Sequence, residues 1–256
     1  MEYITRKTML YKTGVEYGDY TMNHVLGCTH GCKYPCYAFM LKKRFGQIES
    51  YDEWIKPKIV SNTLELLDKE IPRLKNKIQS VQLCFATDPF MYGVEEIISL
   101  SLAAIKKLND AQIKVSVLTK GILPAELSEF SKANEYGISL ISLDEDYRKK
   151  IEPGATPYLE RIESLKILHD AGCQTWISME PYPTPNLIEQ NLTEILSTVE
   201  FVDKIIFGRT NYSKKVSAFA TNKEFYNECA ALVLNFCRNH SIACHIKHGT
   251  IRTCSR

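Results

Sequence analysis

From about residue 57 onward, short runs of β-branched residues alternate with amphipathic stretches of helical period, a pattern that argues for βα units feeding a parallel sheet. Strands are predicted at residues 20–26, 81–85, 114–118, 138–142, 175–179 and 204–207, with 243–246 as a seventh candidate. Helices are predicted near 61–77, 95–108, 124–135, 157–171, 187–198 and 223–240. Ser61 or Asn62 opens the first helix, Gly137 and Gly172 stand where two others would close, and Pro157 suits a first turn. Six consecutive units are too few for a closed eight-stranded barrel and too evenly spaced for two domains. The expected fold is therefore α/β: a partial, TIM-like (β/α)6 barrel, with a parallel sheet and outer helices. It is read as one domain over 1–256, with a core at about 20–210 and a C-terminal extension at about 211–256. In such folds the loops after the carboxyl ends of the strands build the active site. No internal repeat, low-complexity segment or interdomain linker interrupts the pattern.

With 256 residues, 45% of them hydrophobic, the chain can bury a large core. An acid follows the first Met and no apolar run approaches the ~18 residues of a membrane span, which predicts a soluble cytoplasmic protein without membrane association. The nine cysteines are odd in number and suit a reducing compartment where thiols are open to metals or catalysis, so disulfides are not expected. Lys and Arg total 32 against 30 Asp and Glu, a net charge of +2; nucleic acid is permitted as a partner but not implied. Two basic patches, Lys42-Lys43-Arg44 and the tail from His245 to Arg256, read as solvated surface.

Chemistry concentrates after the first strand, in Asn23-His-Val-Leu-Gly-Cys28-Thr-His-Gly-Cys32-Lys-Tyr-Pro-Cys36-Tyr-Ala. A structural zinc site normally takes four ligands in two separated pairs. Three thiolates on one tight loop suit a four-iron four-sulfur cubane, which they would bind through three irons while the fourth stays open to a cofactor or substrate. Gly27 and Gly31 let the loop turn closely. A zinc site completed by His24, His30 or a remote cysteine stays open on the residues alone. Cys84, Cys173, Cys229, Cys237 and Cys244 occur singly inside apolar patterns and read as small buried hydrophobes, and Cys254 lies near the tail.

These residues resemble the radical S-adenosylmethionine (SAM) superfamily, and within it the branch related to spore photoproduct lyase. That branch shows a Cys-x-His-x-Cys-x-Tyr-Cys-Tyr-Ala loop; Cys28-Thr-His30-Gly-Cys32-Lys-Tyr34-Pro-Cys36-Tyr37-Ala38 is similar to it with one extra residue, Pro35. The spacing is thus C-x3-C-x3-C in place of C-x3-C-x2-C. The likeness continues in Ala86-Thr87-Asp88-Pro89-Phe90 with Glu95, in Leu118-Thr119-Lys120, in Glu152-Pro153-Gly154 through Arg161, in His169-Asp-Ala-Gly172, and in Met179-Glu180-Pro181-Tyr-Pro183, where strand five would end in a proline-rich turn. It covers about residues 20 to 210.

The resemblance implies a four-iron four-sulfur cluster on Cys28, Cys32 and Cys36, reductive cleavage of SAM to a 5′-deoxyadenosyl radical, hydrogen abstraction from an unknown substrate, and an electron donor of flavodoxin or ferredoxin type. It places Thr87 and Asp88 beside the methionine amino group, Lys120 and Ser142 beside its carboxylate or the ribose, and Tyr34, with Tyr37 second, against adenine. Glu152, Arg161 and Glu180 are implied as a supporting layer or as substrate contacts. Arg209, in Phe207-Gly-Arg-Thr-Asn211-Tyr, is a substrate-anchor candidate because a guanidinium suits phosphate or carboxylate. Spore photoproduct lyase draws its hydrogen donor from a cysteine near the place of Cys84. A slip of one residue reverses a strand side chain's face, so Cys84 is expected to point toward the helices and Phe85 into the barrel, and a thymine-dimer repair role is not supported. Two other readings stay in view, a photoproduct-lyase-like DNA repair enzyme and a zinc or iron-sulfur protein without catalysis. His245, His248 and Arg252 are candidates to close the open side of the barrel.

Overall fold

Alternation along single strands sets the layers: between Lys114 and Thr119 every second residue is buried, Val115, Val117 and Thr119, while Leu118 opens onto a cavity. In this computed structural model, which describes residues 1–14, 16 and 18–252, the chain begins with β1 (Glu2–Ile4), β2 (Tyr11–Lys12), β3 (Tyr20–Met22), β4 (Val25–Leu26), α1 (Tyr37–Arg44), α2 (Tyr51–Trp54), β5 (Lys58–Val60) and α3 (Thr63–Leu74). It continues with β6 (Ser80–Leu83), α4 (Glu95–Asp110), β7 (Lys114–Thr119), β8 (Glu135–Ser139), α5 (Glu145–Ile151) and α6 (Tyr158–Asp170). The last elements are β9 (Gln174–Tyr182), α7 (Leu192–Ser197), β10 (Lys204–Arg209), α8 (Lys214–Ser217), α9 (Asn222–Asn239) and β11 (Ala243–Ile246).

The main sheet runs β11-β10-β9-β8-β7-β6-β3-β2, parallel throughout except for the β2–β3 pair. It is the open, partial barrel that the pattern predicts, with the seventh strand candidate, β11, as one edge. A small second sheet, β1-β5-β4, lies beside it. Among the described residues no helix is long and apolar enough to cross a membrane.

Several boundaries depart from expectation for identifiable reasons. The predicted strand at 20–26 is two pieces: the chain leaves the barrel after Met22, and Val25–Leu26 pairs antiparallel with β5. The predicted helix at 124–135 reduces to a 3-10 turn, Ala125–Glu129. Asn134 ends it, because its fully buried side chain accepts the Val115 N–H at 2.9 Å and donates to the Tyr136 hydroxyl at 2.9 Å, tying the chain to the sheet early. Strand β8 therefore starts at Glu135 rather than at 138. Gly137 is not a helix cap but the middle of that strand, where the Trp176 indole occupies the place of a side chain; a Cβ there would lie 2.5 Å from Trp176 Cδ2. Strand β9 does not end before its prolines but runs through Pro181 to Tyr182. A register shift against β10 accommodates it, since Phe207 pairs with Met179 and Arg209 with Tyr182.

Gly137→Ala is expected to lower stability by about 1–3 kcal/mol, the usual cost of overpacking, read as a lower urea midpoint; an unchanged midpoint would show that Trp176 is not seated on that glycine.

Candidate functional site

The cysteine loop is held from two sides. On one, the Cys28 N–H donates to the Trp54 carbonyl at 2.8 Å, and Gly27 takes φ +95° where a side chain would meet that same carbonyl at 2.6 Å. The Tyr51 hydroxyl donates to the Gly31 carbonyl at 2.5 Å. On the other side the Lys33 N–H reaches Ile151 O at 2.7 Å and the Gly154 N–H reaches His30 O at 3.0 Å, and any Cβ on Gly154 would fall on the Thr29 carbonyl. The loop is thereby clamped between α2 and the α5–α6 connection, with Cys36 at the N-cap of α1.

Behind it lies a buried ion cluster. Glu152 and Arg161 have no solvent-exposed side-chain surface, and Arg161 Nη2 meets Glu152 Oε2 at 2.9 Å. Arg161 spends its other donors on Thr156 O at 2.7 Å and on Ser139 O at 2.9 Å, at the end of β8. Lys120 Nζ stands 3.7 Å from Glu152 Oε1, 5.9 Å above the Tyr34 ring, and the Tyr34 hydroxyl donates to the same oxygen at 3.3 Å. Burial pushes the Glu152 carboxyl up, but Lys120 and Arg161 outweigh it and hold the group below the ordinary carboxylate range. Its charge thus stabilises the fold above the unfolded value near 4.3, a contribution lost as pH falls through the lower folded value. Glu152 and Arg161, implied by the resemblance as a supporting layer or substrate contacts, thus form an interior pair.

Asp88 couples this cluster to the strand ends. Its Oδ1 accepts the Thr119 hydroxyl at 2.6 Å and the Phe90 N–H at 2.9 Å, its Oδ2 accepts the Lys120 N–H at 2.9 Å, and His30 Nδ1 is 3.4 Å away. Those four contacts use the lone-pair capacity of a carboxylate, so Asp88 acts as a strut between the β6 and β7 ends and the cysteine loop. The Thr87 hydroxyl donates to the Gly27 carbonyl.

A cavity of about 840 Å³ opens over the carboxyl ends of the strands, and Tyr34, Cys36, Tyr37, Thr87, Asp88 and Lys120 all line it. Tyr37 and Phe85 meet edge to face at 6.2 Å on its rim. Of the predicted residues, Cys28, Cys32, Glu152, Arg161 and Ser142 do not line it; because β8 ends at Ser139, Ser142 is wholly buried and accepts the Asp144 N–H at 3.1 Å. Ser139 takes its place on the cavity, beside its register partner Ser178. Neither was singled out from sequence; small polar residues closing adjacent apolar strands were the available signal. Cys84 lies off the cavity with φ +52° and its Sγ 3.4 Å from His24 Nδ1, and His24 Nε2 is 2.8 Å from Ser101 Oγ on α4. Phe85 faces the cavity instead. Glu180, Arg209 and His248 line its far side, while His245 pairs with Glu16 at 2.8 Å. Arg252 bonds Asn222, and Cys254 lies outside the described residues.

The donor set matches a multi-iron group. Burial, with Asp88 adding, pushes the Cys28 thiol well above its usual value, and burial with Glu152 adding pushes that of Cys32 to about 12. Both would therefore need a nearby cation to become thiolate ligands, a charge that iron would supply. Among the described residues no three His, Cys, Asp or Glu side chains converge closely enough to hold a single ion. Thr29 Oγ1 and His30 Nε2, within the loop, are buried without hydrogen-bond partners among the described residues.

The family model of the Radical SAM superfamily matches residues 22–202. An uncharacterized protein of Methanocaldococcus jannaschii, MJ0683, is 27% identical over 189 residues, 73% of this chain and 68% of that one. ORF301, an uncharacterized protein of Acidianus two-tailed virus, is 25% identical over 199 residues, and the match covers 64% of its length. Among solved structures, spore photoproduct lyase complexed with dinucleoside spore photoproduct superposes with a TM-score of 0.69 over 94% of this chain and 80% of that one, at 14% identity. Streptococcus suis SuiB bound to S-adenosylmethionine superposes with a TM-score of 0.51 over 73% and 41%, at 16% identity. At these identities the two superpositions speak for the fold.

Glu152→Gln strands Arg161 in the interior and is expected to cost about 3–5 kcal/mol. Glu152→Leu combined with Arg161→Met should recover part of that loss in chemical denaturation, and a single variant as stable as wild type would show that the pair is solvated.

Proposed function

The chain belongs to the radical SAM superfamily, and we propose that it is an enzyme in which Cys28, Cys32 and Cys36 hold a four-iron four-sulfur cluster that binds and reductively cleaves S-adenosylmethionine. The observation that carries this reading is the set of three free thiols on one clamped loop, with Cys36 on the wall of a cavity that Lys120, Ser139 and Ser178 also line. When bound, cluster and SAM together supply one-electron cleavage of the sulfonium–carbon bond and a carbon radical that takes a hydrogen atom from substrate.

The chain's own residues bind, orient and exclude water. Lys120, held between Glu152 and the Tyr34 ring, keeps its ammonium charged, because Glu152 and Cys32 outweigh the burial that lowers its pKa. It would receive the methionine carboxylate of SAM or a ribose hydroxyl. Ser139 and Ser178, register partners on adjacent strands, would offer hydroxyls to the ribose or the amino group. Tyr34, its hydroxyl turned inward to Glu152, offers only its ring to adenine, and Tyr37 with Phe85 gives a second aromatic edge. Thr87 and Asp88 are already engaged within the protein and would position Cys28, Thr119 and Lys120 rather than contact SAM through free lone pairs. Glu152 and Arg161 hold Lys120 and Tyr34 in place. An electron donor of flavodoxin or ferredoxin type would reach the cluster.

After anaerobic reconstitution with iron and sulfide, the full chain is expected to be brown and to release 5′-deoxyadenosine from SAM under dithionite. Cys36→Ala should lose both colour and product. A colourless wild-type protein carrying one zinc, or cleavage retained in Cys36→Ala, would refute the assignment.

A further inference from the structure

The far end of the cavity has chemistry of its own. The register shift between β9 and β10 sets Glu180 and Arg209 on the same part of the rim. Gly208 makes the packing there feasible, since a Cβ on it would lie 2.9 Å from both Glu180 Cδ and Lys247 Cγ. Lys247 takes the neighbouring carboxylates: its Nζ is 3.8 Å from Glu180 Oε2 and 3.6 Å from Glu16 Oε1, and Glu16 also meets His245 at 2.8 Å. Burial raises the Glu180 carboxyl pKa, with Lys247 opposing, which weakens Glu180 as a competing partner for other cations nearby.

Arg209 is placed differently. Thr250 and Asn211 hold its backbone, and its Nε is buried without a hydrogen-bond partner among the described residues. A guanidinium stays charged at any physiological pH and presents a rigid fork of donors. The residue is only half-buried and lines the cavity, so an incoming oxyanion meets a guanidinium whose pairing within the protein is incomplete. Lys12, Lys247 and His248 line the same end of the cavity. Sheet order puts β7, β8 and β9 between β6, the strand that leads into Thr87 and Asp88, and β10.

We infer that Arg209 anchors a substrate subsite for an oxyanion, phosphate or carboxylate, on the part of the cavity wall that follows β10. The inference rests on the reading of the cavity as a radical SAM active site, and it makes the substrate an acidic molecule reaching from Arg209 toward the site of SAM cleavage.

Calorimetric titration of the full chain with inorganic phosphate and, separately, with acetate tests it. Wild type is expected to bind one of the two saturably, phosphate saturation assigning a phosphate group and acetate saturation a carboxylate. Arg209→Gln should weaken that binding roughly ten-fold or more, the worth of a charged hydrogen-bonding pair. Arg209→Lys, which keeps the charge but not the fork, should fall between, and it decides the matter if the Gln variant fails to give a native circular dichroism spectrum. Equal affinity in the folded variants and wild type, or no saturable binding of either anion, overturns the subsite. Neither titration requires SAM cleavage, so a chain that binds the anion but makes no 5′-deoxyadenosine refutes the enzymatic reading alone.

Discussion

The carboxylate of Glu152 lies wholly out of water between Arg161 and Lys120, and the geometry of the cysteine loop depends on it. An uncompensated charge in that position would be prohibitively costly, so the three groups must assemble together or not at all. Arg161 extends the constraint to the end of β8 through the Ser139 carbonyl, Tyr34 extends it into the loop, and Lys120 brings it to the cavity wall. One buried ion therefore ties three separate stretches of chain into a single arrangement.

Asp88 performs the complementary task at the strand ends. Its four contacts bind β6 to β7 and both to His30, so a loop rich in glycine is nevertheless held from above, below and behind. A rigid support of this kind suits a group whose ligands must be preorganised, since side chains locked by packing and hydrogen bonds hold a reactive centre more accurately than mobile ones. Asp88 and Thr87 line the cavity yet spend their polar atoms on contacts within the protein, which leaves Lys120, Ser139 and Ser178 as further polar groups on the same wall.

The open side of the barrel is spanned without closing the sheet. β2 and β11 are its edges, and Glu16 of the β2–β3 connection meets His245 and Lys247 across the gap. The cavity wall consequently carries unlike groups, Cys36, Tyr34 and Lys120 from one set of elements and Arg209, Lys247 and His248 from the last strands and the segment that follows. An enzyme that generates a reactive radical at one end and grips its substrate at the other gains control over which hydrogen is presented.

The parallel order of strands, the cysteine trio and several of the polar residues that line the cavity were legible in the sequence, because each follows from local signals: period, length, residue type and spacing. Helix 124–135, the opening strand and the role of Gly137 were misread because their outcome depends on distant partners. Asn134 finds Val115, Val25 finds Ile59, and Trp176 takes the volume over a glycine that local rules assign to a helix end. Ser142 gave way to Ser139 for the same reason, since a strand's last residue is set by its neighbour's register and not by its own composition. Chain-local chemistry thus named the functional residue types, and tertiary packing decided which of them stay buried as supports and which open to the cavity, because burial and pairing energies act between residues far apart in the chain.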